Sequence, residues 1–188
     1  RFSTRLYRRG PIQNGVLEGD LFLVGFGDPS LQTNSLYDLA EALRLQGITR
    51  VRGDMVVDDS YFSLPEHAFV GGSEAKVYFA PSSALSLNYN TVSLWVRGAE
   101  QMDSKPEVYS ETPGDYIHLR PQVRMGRSTQ LTASRKILKD ANRFFVGGAI
   151  EPGERQELVR AITAPTSYCK LAFGAVLAQM GIVVEGSG

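Results

Sequence analysis

The chain has 188 residues, 43% of them hydrophobic and 21% charged, with 20 basic and 20 acidic side chains. That is ordinary globular composition with enough length to bury a core. A net charge of zero gives no bulk electrostatic drive toward nucleic acid or an anionic membrane, a single cysteine excludes an internal disulfide, and no apolar run reaches the ~20 residues of a membrane span.

In chain order, Leu21 to Val24 reads as a strand, and four large apolar residues in a row predict burial on both faces. Gly25-Phe26-Gly27-Asp28-Pro29 breaks it. This run lacks the third glycine and helix spacing of a dinucleotide fingerprint, so it is not read as a phosphate cradle. Thr33-Asn34-Ser35 supplies caps for a helix whose Leu36, Leu39, Ala40 and Leu43 recur at helical spacing, with Asp38 expected in its first turn. Gly47 is placed to end that helix in a left-handed cap, and Ile48 to start a return to strand. A second strand is expected over 54–62. A second helix-Gly-Ile-strand unit closes the chain: Pro165-Thr166-Ser167 opens it, Tyr168, Leu171, Ala172, Ala175 and Val176 mark its face, and Gly181 ends it before Ile182 to Val184. Both units are expected on one sheet.

Between them the period is two. Leu85, Leu87 and Tyr89 alternate, as do Val92, Leu94 and Val96, which predicts half-buried antiparallel strands. Further strands are expected at 116–119, 129–133, 144–146 and 158–162, with turns at Gly98, Pro113-Gly114, Gly126, Gly147-Gly148 and Pro152-Gly153. The fold class is α+β: a strand-rich α+β domain over 1–88 and 160–188, interrupted by a nested small all-β domain at 89–159.

Four segments carry a family resemblance: Gly15 to Leu31 with Gly27-Asp28-Pro29-Ser30-Leu31, Gly47-Ile48 followed by Gly53 to Phe62, Ala80 to Asn90, and Gly181 to Gly186. Their order resembles the penicillin-binding-protein-4 family of serine D-alanyl-D-alanine carboxypeptidases and endopeptidases (peptidase family S13), with weaker agreement between Gly98 and Glu157. Members carry a nucleophile motif Ser-x-x-Lys, expected upstream of Arg1, and Ser-x-Asn and Lys-Thr-Gly motifs, expected beyond Gly188. None of the five lysines here precedes Thr-Gly or Ser-Gly. The resemblance therefore implies the accessory domains that the family inserts into its catalytic domain, in an extracytoplasmic, cell-wall-facing protein. The implied partners are the parent catalytic domain and a peptidoglycan stem peptide. A free-standing, non-catalytic cell-wall binding or assembly module with the same fold is the alternative.

Ser167-Tyr168-Cys169-Lys170 spells Ser-x-x-Lys at a helix start, where an amine one turn on can take a hydroxyl proton. The reading adopted is a capping Ser167 and a solvent-facing Lys170, so no catalytic residue is assigned. Ser86-Leu87-Asn88 spells Ser-x-Asn but is read as structural. Glu74 is the one residue assigned to substrate contact, because some family members carry a carboxylate in the loop before the Ala-Pro step. This chain lacks the aromatic residues often found just before that acid. Asp54, Asp58 and Asp59 lack the alternation of a calcium loop and are read as turn residues. His67 and His118 form no zinc spacing, so no metal or cofactor is expected. Cys169 is expected as a buried small apolar residue. Seven cations between His118 and Phe144 and five acids between Ala99 and Asp115 are expected to pair across neighbouring strands, the alternative being contact with an anionic wall polymer or acidic partner.

Overall fold

A computed structural model describes residues 2–62 and 75–186. The fold is α+β, and the described residues fall into two compact units: 2–62, 82–89 and 165–186 form one, and 75–81 with 90–164 form the other.

The first unit holds strands β1 (Thr4–Arg9), β2 (Ile12–Gln13), β3 (Val16–Leu17), β4 (Asp20–Gly25), β5 (Arg50–Val51) and β6 (Met55–Asp58), helix α1 (Thr33–Leu45) and, through its later segment, helix α2 (Pro165–Gln179) with a short closing strand at Val183–Val184. β4 lies between antiparallel β1 and parallel β6. Its Leu21 and Leu23 are fully buried while Phe22 and Val24 are half-buried. The expected burial on both faces is therefore corrected: β4 has one closed face, because an apolar run by itself does not say how many layers will cover it.

α1 buries Leu36, Ala40 and Leu43. It starts one turn earlier than the caps predict, so Asp38 lies beyond the first turn, and the Gln32 amide donates to Ser35 Oγ at 3.3 Å. Both helices end in the same way. Gly47 (φ 79°) and Gly181 (φ 74°) adopt the left-handed region. The Ile48 amide donates to Leu43 O at 3.1 Å and the Ile182 amide to Leu177 O at 2.8 Å, closing the helix carbonyls. The strands that follow are hydrogen-bonded neighbours, β5 and Val183–Val184 running parallel within one four-stranded sheet. α2 buries Tyr168, Cys169, Ala172, Phe173, Val176 and Leu177, whereas Leu171 is exposed. The expected face is thus rotated; a helix apolar nearly all round gives periodicity little to select.

Leu85–Tyr89 is not a strand. Asn88 (φ 50°, ψ 40°), Tyr89 (φ 57°, ψ 27°) and Asn90 (φ 56°) are three successive non-glycine residues in the left-handed region. Each such residue costs roughly 1–2 kcal/mol, least for Asn, so long-range contacts must hold the segment against its own preference.

Among the described residues of the second unit the regular structure is strand, with a 3-10 turn at Val77–Phe79. In chain order come β7 (Thr91–Arg97), β8 (Glu107–Ser110), β9 (Ile117–Met125), β10 (Gln130–Ile137), β11 (Asn142–Ile150) and β12 (Arg155–Ala161). One sheet has the order β12-β7-β8, antiparallel throughout; the other is β10-β11-β9, where β11 is antiparallel to β10 and parallel to β9. Val92, Leu94 and Val96 of β7 and Phe144, Val146 and Ile150 of β11 are fully buried. Residues 75–81, placed with the outer domain by the sequence reading, group here instead: the Ala161 amide donates to Ala75 O at 2.8 Å, and Asn90 Nδ2 to Pro81 O at 2.7 Å.

Candidate functional site

The Gly25–Leu31 loop is built for close packing, not for an anion. A Cβ on Gly25 would come within 2.4 Å of Ala84 O, and Gly27 (φ 77°) sits under the Phe62 ring. The amides that could cradle a ligand are already used: Phe26 N donates to Ser3 O at 2.9 Å, Gly27 N to Ala84 O at 2.8 Å, and Ser30 N to Asp28 Oδ1 at 2.9 Å. Ser30 Oγ also donates to Asp28 Oδ1, at 2.6 Å, and this hydroxyl is the main reason the Asp28 carboxyl lies below the usual carboxylate range.

Beside this loop lies a feature that sequence reasoning missed. Phe26 and Tyr61 meet edge to face at 5.2 Å, Tyr61 and Phe62 at 5.2 Å, and the Arg5 guanidinium stands 5.1 Å over the Phe26 ring. Tyr61 is 58% exposed and Phe2 65%. The signal available was Phe26 between two glycines and Tyr61-Phe62 straight after the Asp-Asp-Ser turn. This aromatic surface ends at Phe62, the last described residue before the segment that carries Glu74; Glu74 itself and His67 lie outside the described residues.

Of the three aspartates, Asp58 and Asp59 do different work. Asp58 Oδ1 accepts the Ser60 amide at 2.9 Å as a turn residue, and its carboxyl is held down chiefly by the Ser60 hydroxyl. Asp59 Oδ2 accepts Ser83 Oγ at 3.0 Å and Thr166 Oγ1 at 2.7 Å, joining the end of β6, the 82–89 segment and the start of α2. No group of three or more metal-ligating side chains is assembled among the described residues.

Ser167 lies within the first turn of α2, not at its cap as expected, because the helix already begins at Pro165. Lys170 is half-buried, and among the described residues no hydrogen bond joins the two side chains. Cys169 between them is fully buried, and burial pushes its thiol up to about 12, so no thiolate is available at neutral pH. Asn88 serves as a structural link. Its Oδ1 accepts the Thr33 amide at the start of α1 at 3.0 Å, and its Nδ2 donates to Thr33 Oγ1 at 2.9 Å and to the Tyr168 hydroxyl on α2 at 3.2 Å.

The expected pairing of the acidic and basic stretches is corrected. Glu107 pairs with Arg97 at 2.7 Å and Glu111 with Arg155 at 3.2 Å, whose guanidinium also lies 3.8 Å over the Trp95 ring. Both arginines lie outside the basic stretch. Arg135 of that stretch is buried and donates to Ala161 O at 2.6 Å; burial lowers its pKa. Among the described residues no carboxylate pairs with Arg120, Arg124, Arg127, Lys136, Lys139 or Arg143. Strand order decides this: β8 pairs with β7, so its acids meet cations of the β12-β7-β8 sheet.

The family model of the D-Ala-D-Ala carboxypeptidase 3 (S13) family matches residues 1–187. The chain belongs to the S13 family. It is 35% identical over 92 residues to the D-alanyl-D-alanine carboxypeptidase DacB of Haemophilus influenzae, covering 48% of this chain and 19% of that protein. It is 42% identical over 55 residues to a D-alanyl-D-alanine carboxypeptidase of Actinomadura sp. (strain R39), covering 29% of this chain and 9% of that protein. In fold it is similar to the crystal structure of penicillin binding protein 4 (dacB) from Haemophilus influenzae, with a TM-score of 0.71 at 23% identity, over 99% of this chain and 43% of that one. This S13 chain thus spans less than half the length of the relatives it matches, and it is a relative of cell-wall peptidases.

Proposed function

We propose that this S13 chain is the non-catalytic accessory part of a serine D-Ala-D-Ala carboxypeptidase or endopeptidase that trims peptidoglycan stem peptides outside the cytoplasm. The observation that carries the reading is the family match over 1–187, set beside a Ser-x-x-Lys spacing that lies in α2 with no bond between its two functional groups. The lysine of that motif must reach the serine hydroxyl to act as its base, and Lys170 makes no hydrogen bond to Ser167. In the intact enzyme the chemistry would be serine attack on the D-Ala-D-Ala carbonyl through an acyl-enzyme, carried by the partner catalytic domain. The role assigned to this segment is to wall the cleft and restrict which stem peptides enter, with Glu74 as the contact residue.

Two measurements test this. Deleting the segment from the parent enzyme is expected to change the ratio of kcat/KM values between stem peptides more than the acylation rate by a small β-lactam; equal losses would mean a purely structural role. Incubating the chain with penicillin is expected to leave its intact mass unchanged. A stable acyl adduct that disappears in Ser167→Ala would overturn the non-catalytic assignment.

A further inference from the structure

We propose that the solvent-facing side of the β10-β11-β9 sheet is a binding face for a linear anionic glycan, a chain of sugar rings bearing carboxylate or phosphate groups. Register defines the face, because directly paired residues project to the same side. Its successive rows are Lys136–Arg143–His118, Ser134–Phe145–Arg120, Thr132–Gly147–Gln122 and Gln130–Ala149–Arg124. The alternate residues Phe144, Val146 and Ile150 point into the core, so the rows are the outer side. None of these positions is acidic. The nearest acids lie beyond the strand ends: Asp115 and Asp140 at one end, and Glu151 and Glu154, which accepts from Thr129 Oγ1, at the other.

Shape and charge together select the occupant. The four rows span six residue steps, roughly 20 Å, and the three strands span two spacings, roughly 10 Å. That gives a ribbon on the order of 200 Å², far below the ~800 Å² per partner of a stable protein interface. A polymer lying along the strands can use such a ribbon; a globular partner cannot. Phe145 sits half-buried at its centre with cations on two sides, and Gly147 beside it adds no side chain, leaving the ring's flank open. One aromatic platform suits a sugar ring, whereas single-stranded nucleic acid is held by successive stacking platforms. The Arg143 Nε is buried and has no hydrogen-bond partner among the described residues. This face does not depend on the segment's proposed part in stem-peptide selection, and the two stand or fall on different experiments.

The test uses the full 188-residue chain and polygalacturonate oligomers as the linear anionic glycan, with the methyl-esterified oligomers and oligo-dT as comparisons. Titration calorimetry at 50 mM NaCl is expected to show binding to polygalacturonate, none to the esterified form, and roughly tenfold weaker binding at 200 mM NaCl if two or three cations are engaged. The Arg120→Glu, Arg124→Glu, Lys136→Glu triple variant is expected to lose binding with an unchanged circular dichroism spectrum. Acetylation of Lys136 in the unmutated chain is expected to slow on adding polygalacturonate, a readout that does not depend on the variant folding. No binding at 50 mM NaCl, binding that survives charge reversal, or unprotected Lys136 would overturn the proposal. Tighter binding of oligo-dT would overturn it in favour of nucleic acid.

Discussion

Replacing Asn88 removes a side chain that ties the starts of both helices together from a backbone position disfavoured for most residues. In Asn88→Ala the Thr33 amide loses its acceptor, a helix N-terminal loss of about 1 kcal/mol. The bonds to Thr33 Oγ1 and the buried Tyr168 hydroxyl contribute about another 1 kcal/mol net. Holding alanine rather than asparagine at φ 50° adds about 1 kcal/mol. The expected destabilisation is therefore about 3 kcal/mol for Asn88→Ala. Asn88→Gly loses the same bonds without the conformational term, so its loss is expected to be about 2 kcal/mol. Both helices belong to the first unit, so ellipticity at 222 nm during urea unfolding reports on the unit concerned. Equal midpoints for the two variants would refute the backbone argument, and a loss below about 0.5 kcal/mol in Asn88→Ala would refute the linking role altogether.

Gly25→Ala is expected to cost about 2–3 kcal/mol in the same assay, because a Cβ there meets the Ala84 carbonyl, backbone that cannot swing aside; a change under about 0.5 kcal/mol would deny the close approach. Cys169 in the native chain is expected to resist iodoacetamide at pH 8 and to react fully in urea. Because its folded pKa, about 12, exceeds the ordinary 9.0, ionisation favours the unfolded chain and stability falls as pH rises from 9 toward 12; Cys169→Ala is expected to flatten that slope in pH-dependent unfolding. Ser30→Ala is expected to raise the Asp28 carboxyl toward its ordinary value by NMR titration. Asp28 carries the depressed pKa, so its contribution is present above the unfolded value and fades as pH falls through the folded one, and the variant narrows that acid-side loss. An unmoved Asp28 titration would show that the hydroxyl is not the cause.

Local chemistry was enough for much of this protein. The two helices, their Gly-Ile endings and the strand that follows each were legible because spacing and a left-handed glycine act within one turn, and both Gly-Ile endings lie within segments that carried the family resemblance. Cys169 as a buried apolar residue and Asp58 as a turn residue were legible for the same reason. Other features arise only when distant segments meet. Leu85–Tyr89 alternates like a strand, yet contacts to Thr33 and Tyr168 fix Asn88 in a left-handed turn, a choice that no local pattern encodes. The aromatic surface of Phe2, Phe26, Tyr61 and Phe62 gathers residues up to sixty positions apart. The pairing of the acids was decided by strand order, since β8 joins β7 and leaves Arg120, Arg124, Lys136 and Arg143 without acids among the described residues. Periodicity reports which side of a segment is apolar; only the tertiary structure decides which segment lies across from it, because that depends on contacts whose entropy of closure no single stretch of sequence carries.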